Sequence, residues 1–228
     1  MMGATVIDLY TAVTPNGYKV SIMLEECGLA YTPHYPDLSK LEHRQPKFLA
    51  LNPNGRVPVI IDHDAGGFPV FESGAILVYL GQKTGRFFPS DPKRNSSMMQ
   101  WLMWQMAGLG PMMAQLNVFI HLFPERLPQV VARYRRESYR LFGVMESQLA
   151  KRQYLACDEY TIADIASWCW ILSKDWSQLS LDDYPAIRRW SDEIASRPAV
   201  AAGLRVPPLP TSDDNYEERI ARVRKTLA

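Results

Sequence analysis

The sequence predicts an α/β layer followed by an all-helical region, and three observations carry that expectation. From Thr5 to Tyr79, short β-branched or aromatic runs alternate with helical stretches. From Asn95 onward only helical periodicities recur. Between them, Phe88-Pro89-Ser90-Asp91-Pro92 interrupts both patterns. The expected organisation is a first domain over 1–88, a linker over 89–94 and an all-helical domain over 95–228 that ends in a charged tail.

The first region reads in order as follows. Thr5 to Tyr10 (TVIDLY) is short, β-branched and aromatic, and is read as a strand. Thr14 precedes Pro15, the signature of an N-cap with proline at the first helical position. Val20, Met23, Leu24 and Cys27 follow at helical spacing, Glu25 and Glu26 fall off that stripe, and Gly28 closes the helix. Tyr31 to Tyr35 is a second strand candidate, and Ser39 to Lys47 a loop or short helix. Val57 to Asp62 is a strand, His63 to Gly67 a turn and Pro69 to Phe71 the return strand. Glu72-Ser73-Gly74 then opens a helix with Ile76, Leu77 and Leu80 on its apolar stripe. The order β-α-β, connection, β-β-α fits a small mixed sheet with helices on its faces.

The second region begins with an unusual stretch. No charged side chain occurs between Arg94 and Glu125, yet Gln100, Gln105, Gln115, Asn117 and His121 punctuate it, and Gly108 to Pro111 breaks it. A membrane span needs about twenty predominantly apolar residues without such interruption, so the expectation is a buried, kinked core helix. Arg133 to Lys151 is helical. Thr161 to Asp164 has the spacing of a capping box, with Asp where Glu is usual, and Ile165, Trp168, Cys169 and Leu172 continue that helix. Pro185 to Ser196 is a further helix, expected to stop before Pro198. The tail from Pro207 is proline-bearing and then charged.

Composition narrows the function classes. The 228 residues carry 25 basic and 24 acidic side chains, a formal charge of +1, which gives no general electrostatic drive toward nucleic acid or an anionic membrane. Three cysteines, Cys27, Cys157 and Cys169, have no paired spacing. That excludes a disulfide scaffold or a four-thiolate zinc site and fits a reducing, cytoplasmic setting. The start of the chain lacks the basic and apolar regions of a signal peptide. His34, His43, His63 and His121 lack metal-ligand spacing, and there is no GxSxG elbow, phosphate-cradling glycine loop or CxxC pair.

Three local features converge on a ligand site. Pro58 at a strand start cannot donate to the sheet; were Val57-Pro58 cis, Val57 would offer its N–H and C=O to an extended peptide, whereas a trans bond would merely begin the strand. Glu72-Ser73-Gly74 at a helix entry combines exposed amides, a hydroxyl and an acid, which suits an amino-acid head group; the plainer reading is a serine cap. Thr14-Pro15-Asn16-Gly17 stands after the first strand, where open α/β sheets hold ligands, and its donors would favour a thiolate; the plainer reading is a capped helix.

On TPNGYKV, LNPNGRVPVIID, FESGAILVYL, WLMWQMAGLGPMM and TIADIASW, the chain over residues 5 to 205 resembles the glutathione transferases, and within them the nu-like branch that includes bacterial disulfide-bond oxidoreductases and a fungal nitrogen regulator. The resemblance implies a thioredoxin-like domain followed by a helical bundle. It implies that Glu72 and Ser73 bind the γ-glutamyl end of glutathione, that Val57 pairs with the cysteinyl unit beside a cis Pro58, and that Thr14 and Asn16 lie near the sulfur. His43 and Arg56 fall at the glycyl carboxylate, His43 standing where glutamine is expected, and Arg133 matches an arginine that closes over the ligand. Cysteine-using classes carry a thiol at the first helix, where this chain has Thr14 and Asn16. Tyr10 belongs to a strand and is not relied upon by the nu-like class.

The expected activity is therefore glutathione-dependent disulfide reduction, with hydroperoxides as further substrates, by a homodimer in which glutathione is co-substrate and no metal takes part. Two rivals stand beside it. One is a conventional transferase that conjugates small electrophiles, and the other is a non-catalytic regulatory protein on the same scaffold.

Overall fold

The computed structural model describes residues 6–208. The chain divides into two compact units, one made of the segment up to Lys83 together with the segment from Pro198, the other of Thr84–Arg197.

In the first unit a four-stranded sheet has the order β2-β1-β3-β4. Strand β1 (Ile7–Tyr10) leads through helix α1 (Pro15–Cys27) to β2 (Tyr31–His34), which pairs with β1 in parallel. Two single 3₁₀ turns, Leu38–Lys40 and Glu42–Arg44, and the short helix α2 (Pro46–Leu49) fill the stretch read as loop or short helix. Strand β3 (Val59–Asp62) runs antiparallel to β1, and β4 (Phe68–Phe71) antiparallel to β3. Helix α3 (Ser73–Thr84) follows directly. This is the thioredoxin-like arrangement expected.

Local chemistry explains where α1 begins and ends. Thr14 Oγ1 accepts the Gly17 amide at 2.9 Å, Pro15 occupies the first turn, and Gly28 takes the left-handed conformation at φ 67°. Burial of α1 is broader than a single stripe: every residue from Gly17 to Leu24 is buried, and so is Glu26, which the spacing had placed on the outer face. The reason lies at the other end of the chain. The preceding helix stops before Pro198 as expected, and Pro198 also starts a further helix, α9 (Pro198–Gly203), which packs on α1. Ser21 Oγ donates to the Gly203 carbonyl at 2.8 Å, and a Cβ on Gly203 would lie 2.6 Å from Ile22 Cα. The stretch 198–208 therefore completes the first unit rather than the helical one.

Helix α3 is tied to the sheet by a buried acid. Asp62, fully buried, accepts Tyr79 Oη at 2.7 Å and Lys83 Nζ at 2.8 Å. Burial alone would raise its pKa; the Lys83 and Tyr79 hydrogen bonds outweigh that and hold it below the ordinary value.

The second unit contains α4 (Pro92–Trp104), α5 (Gly110–Asn117), α6 (Pro128–Leu149), α7 (Ile162–Leu172) and α8 (Pro185–Ala195), with no strand among its described residues. The kink expected near Gly108 is a π-helical turn over Gln105–Leu109, and a second π turn spans Val118–Leu122. Leu102, Leu109, Met113 and Leu116 are fully buried there, as a core helix requires. Asp164 is the centre of the expected capping box. Its carboxylate accepts the Thr161 amide at 3.0 Å, the Leu155 amide at 2.9 Å and Trp190 Nε1 at 3.0 Å. No helix among the described residues is long and apolar enough to cross a membrane. The charged tail lies outside the described residues from position 209 onward.

Candidate functional site

Strand register brings the three sequence features to one end of the sheet. Val59 pairs with both Tyr10 and Phe71. The exit of β1, the entry of β3 and the exit of β4 therefore coincide. Thr14 to Gly17 follows the first, Val57-Pro58 precedes the second, and Glu72-Ser73 follows the third. A cavity of about 470 Å³ opens here, lined by Thr14, Asn16, Leu38, His43, Arg44, Leu49, Asn54, Gly55, Arg56 and Val57. Five of the residues read from sequence are among them.

The Val57-Pro58 bond is cis, and Pro58 is buried. Among the described residues, no backbone hydrogen bond uses the Val57 N–H or C=O. Thr14 and Asn16 sit on the first turn of α1. Thr14 Oγ1 takes the Gly17 proton, while its own proton meets only the Ala12 carbonyl at 3.5 Å, a weak contact that leaves the hydroxyl able to turn into the cavity. Gly17 is required at this turn: a Cβ there would collide with the Ala12 carbonyl and Thr11 Oγ1.

The far wall of the cavity is cationic. His43 is buried, and its Nδ1 has no hydrogen-bond partner. Burial first, then the Arg44 and Arg56 charges, lowers its pKa from the ordinary 6.5, so the imidazole is neutral at pH 7. Positive charge on this wall comes instead from Arg56 and from Arg44, which the sequence reading had not singled out. Asn52 supports them. Its Nδ2 donates to the Arg56 carbonyl at 2.7 Å and its Oδ1 accepts the Asn54 amide at 2.9 Å.

Glu72 and Ser73 stand at the start of α3, outside the cavity's lining. Glu72, not Ser73, holds the cap position: its carbonyl accepts the Ile76 amide at 2.9 Å, and it adopts φ 68°. A left-handed non-glycine residue is uncommon and costs about 1 kcal/mol or more, a local cost that recurs at functional sites. Ser73 is 3% exposed and accepts from Lys19 Nζ at 3.4 Å, a contact with a lysine the sequence reading did not consider. Arg133 lies on α6 in the helical unit, exposed and 3.8 Å from Glu137.

Tyr10 does not enter this cavity. It stacks on His34 at 4.7 Å between centroids, meets Phe48 edge-on at 6.0 Å, and lines a separate hollow of about 710 Å³. Burial and the Asp8 charge raise its pKa, so it is a neutral phenol. No cysteine lines the Thr14 cavity. Cys27 is at the opposite end of α1, about 20 Å along the helix axis, and Cys157 and Cys169 are buried in the helical unit. Among the described residues no cluster of His, Cys, Asp and Glu is arranged to hold a metal.

Comparison with known proteins places these features. Residues 5–82 match the family described as Glutathione S-transferase, N-terminal domain, and residues 102–198 match Glutathione S-transferase, C-terminal domain. Disulfide-bond oxidoreductase YfcG from Escherichia coli K12 is 42% identical over 202 residues, covering 87% of this chain and 94% of that protein. A glutathione transferase homologue from Lodderomyces elongisporus, solved with two GSH per subunit, superposes with a TM-score of 0.85 at 36% identity over 89% of this chain and 99% of that one. A glutathione transferase from Pseudomonas putida, solved with one glutathione disulfide per subunit, gives 0.83 at 39% identity over 91% and 94%.

Proposed function

The chain belongs to the glutathione S-transferase family, and from that premise we propose that it is a glutathione-dependent disulfide reductase that draws its reactive sulfur from glutathione. One observation carries the reading: the sheet end gathers Thr14, Asn16 and Val57 around a cavity that contains hydrogen-bond donors and cations but no cysteine. The names of its relatives support it too, since one is a disulfide-bond oxidoreductase and two solved neighbours hold GSH or glutathione disulfide.

In this reading the tripeptide lies extended across the sheet end. Val57 pairs its N–H and C=O with the cysteinyl unit beside cis Pro58, as a strand pairs with a peptide. Arg56, Arg44 and neutral His43 face the glycyl carboxylate. Glu72 and Ser73 take the γ-glutamyl ammonium and carboxylate, and Arg133 is assigned to closing the ligand in. The cysteinyl sulfur then sits at the first turn of α1, where Thr14 and Asn16 donate to it. Each unit by which they lower its pKa corresponds to about 1.4 kcal/mol of preferential thiolate stabilisation.

The thiolate attacks one sulfur of a substrate disulfide, forming a mixed disulfide and expelling the other sulfur as a thiol after protonation. A second glutathione thiolate attacks the glutathionyl sulfur, giving glutathione disulfide and the second substrate thiol. Two thiols are oxidised and one disulfide is reduced to two. With a hydroperoxide the same two thiols yield an alcohol and water. The protein contributes binding, orientation and thiolate stabilisation. The reading includes a homodimer acting in the cytoplasm.

Turnover of hydroxyethyl disulfide by the full chain with glutathione, compared with Asn16→Ala, tests the proposal. The expected result is a fall in kcat of about tenfold or more with a smaller change in glutathione affinity. Unchanged turnover, or wild-type turnover confined to an aryl halide, overturns it. A variant lacking all three cysteines is expected to keep its activity.

A further inference from the structure

The sheet has a second face that the glutathione reading leaves unused. Along β1, Ile7 and Leu9 are fully buried and alternate with half-buried Asp8 and Tyr10, which therefore point to the opposite side. The hollow of about 710 Å³ that Tyr10 lines draws its other walls from β2, α2 and the turns between them. Its volume lies within the range of about 300–1,000 Å³ usual for small-molecule sites.

The aromatic wall of this hollow is held in place before any ligand arrives. Register pairs Tyr10 with His34 across β1 and β2, which puts the two side chains next to each other on one face. Their rings stack at 4.7 Å, and Phe48 meets Tyr10 edge-on at 6.0 Å. Asp8 Oδ1 accepts from His34 Nε2 at 3.0 Å, and its Oδ2 accepts from His63 Nε2 at 2.9 Å, so the His34 ring is fixed through β1. Tyr35 also lines the hollow and is 51% exposed, a large ring left in water.

The polar groups on the same walls decide the sign of the ligand. Lys47 lines the hollow and makes no ion pair among the described residues. The acid on the same wall, Glu42, is already engaged: its Oε2 accepts the Asp37 amide at 2.7 Å. Among the described residues the Tyr10 and Tyr35 hydroxyls and the Gln45 side-chain amide make no hydrogen bond. Burial raises the pKa of both phenols, so each keeps a proton to donate at pH 7.

We infer that this hollow is a second ligand site, separate from the Thr14 cavity, and that it takes a planar aromatic carboxylate. The ligand ring packs against the Tyr10, Tyr35 and Phe48 rings, and its carboxylate receives Lys47 and the free donors. The segment from Glu42 to Leu49 partitions the two cavities: His43, Arg44 and Leu49 line the Thr14 side, while Glu42, Gln45 and Phe48 line this one. The inference stands independently of the glutathione reading.

Titration calorimetry of the full chain with 2-naphthoate, and with 2-naphthamide as its neutral counterpart, tests it. The wild-type chain is expected to bind the carboxylate about fivefold or more tighter than the amide. Lys47→Gln is expected to abolish that preference while changing amide affinity less than about twofold. Tyr35→Ala should weaken both compounds about fivefold. Saturating glutathione should change naphthoate affinity by less than about threefold, as for separate sites. Both substituted positions are exposed, so hydroxyethyl disulfide turnover is expected to stay unchanged and to report an intact fold.

A wild-type chain that binds neither compound overturns the inference, as does a preference that survives Lys47→Gln. Displacement of naphthoate by glutathione, or binding indifferent to Tyr35→Ala, locates the compound elsewhere and also overturns it. A chain that shows the expected naphthoate pattern yet binds no glutathione supports this inference and overturns the glutathione reading alone.

Discussion

Asn52 Nδ2 donates to the Arg56 carbonyl at 2.7 Å, and that bond shapes the cationic wall of the cavity from behind. Asn52 is 2% exposed, and its Oδ1 closes the same turn on the Asn54 amide. Asn52→Ala leaves the Arg56 carbonyl and the Asn54 amide without their side-chain partner. The expected cost is about 1–3 kcal/mol in urea unfolding, together with weaker glutathione binding. Arg56→Ala, by contrast, should weaken binding while leaving stability within about 0.5 kcal/mol.

Thr14 has two duties that substitutions separate. Thr14→Val loses the Gly17 cap and is expected to lower stability by about 1 kcal/mol while also lowering reductase turnover. Thr14→Ser keeps the oxygen and should retain both. Chemical denaturation and initial-rate measurements on the two variants check this; a Thr14→Val chain with normal turnover removes the hydroxyl from the mechanism.

His43 makes a pH prediction with a definite sign. Its folded pKa lies below the ordinary 6.5, so the unfolded chain binds the proton more readily. Stability from this group is fully present above pH 6.5 and declines as pH falls below it, with a slope of at most about 1.4 kcal/mol per pH unit. His43→Gln should flatten unfolding free energies measured between pH 7.5 and 5. Because the imidazole is neutral at pH 7, the same substitution should leave glutathione affinity within about threefold. A tenfold loss would assign the histidine a charged contact.

Asp164 anchors the helical unit. Its carboxylate gathers donors from Thr161, Leu155 and Trp190 in a fully buried position. Asp164→Ala strands those donors and is expected to cost about 3 kcal/mol or more. Thermal unfolding is the measurement, and a loss under 1 kcal/mol would contradict the network's role.

Features fixed by neighbouring residues were legible before the structure. The Thr14-Pro15 start of α1, the Gly28 stop and the Thr161-Asp164 box depend on side chains within four positions, and each appears where the spacing placed it. Pro58 was legible as a strand entry, although residue type leaves both isomers open. Tertiary relations were not legible. The sequence gives no reading of Lys19, whose burial and contact with Ser73, distant in sequence, exist only in the folded chain. Arg44 lies in no motif, and Asn52, although inside LNPNGRVPVIID, shows its support of Arg56 only through the turn geometry. The stop before Pro198 was legible and holds, but the helix that Pro198 begins was not, because it is fixed by the packing of Gly203 on Ile22, distant in sequence.

The return of α9 to the sheet-bearing unit makes the helical unit an insertion between two parts of its neighbour. Synthesis order and completion order therefore differ. As the chain leaves the ribosome, the sheet is translated first, yet α1 lacks its covering helix until residue 203 has emerged, more than a hundred positions after the last strand. A chain cut after residue 88 would expose Ile22 and Ser21 to water, so nascent intermediates of that length are the ones expected to need a chaperone.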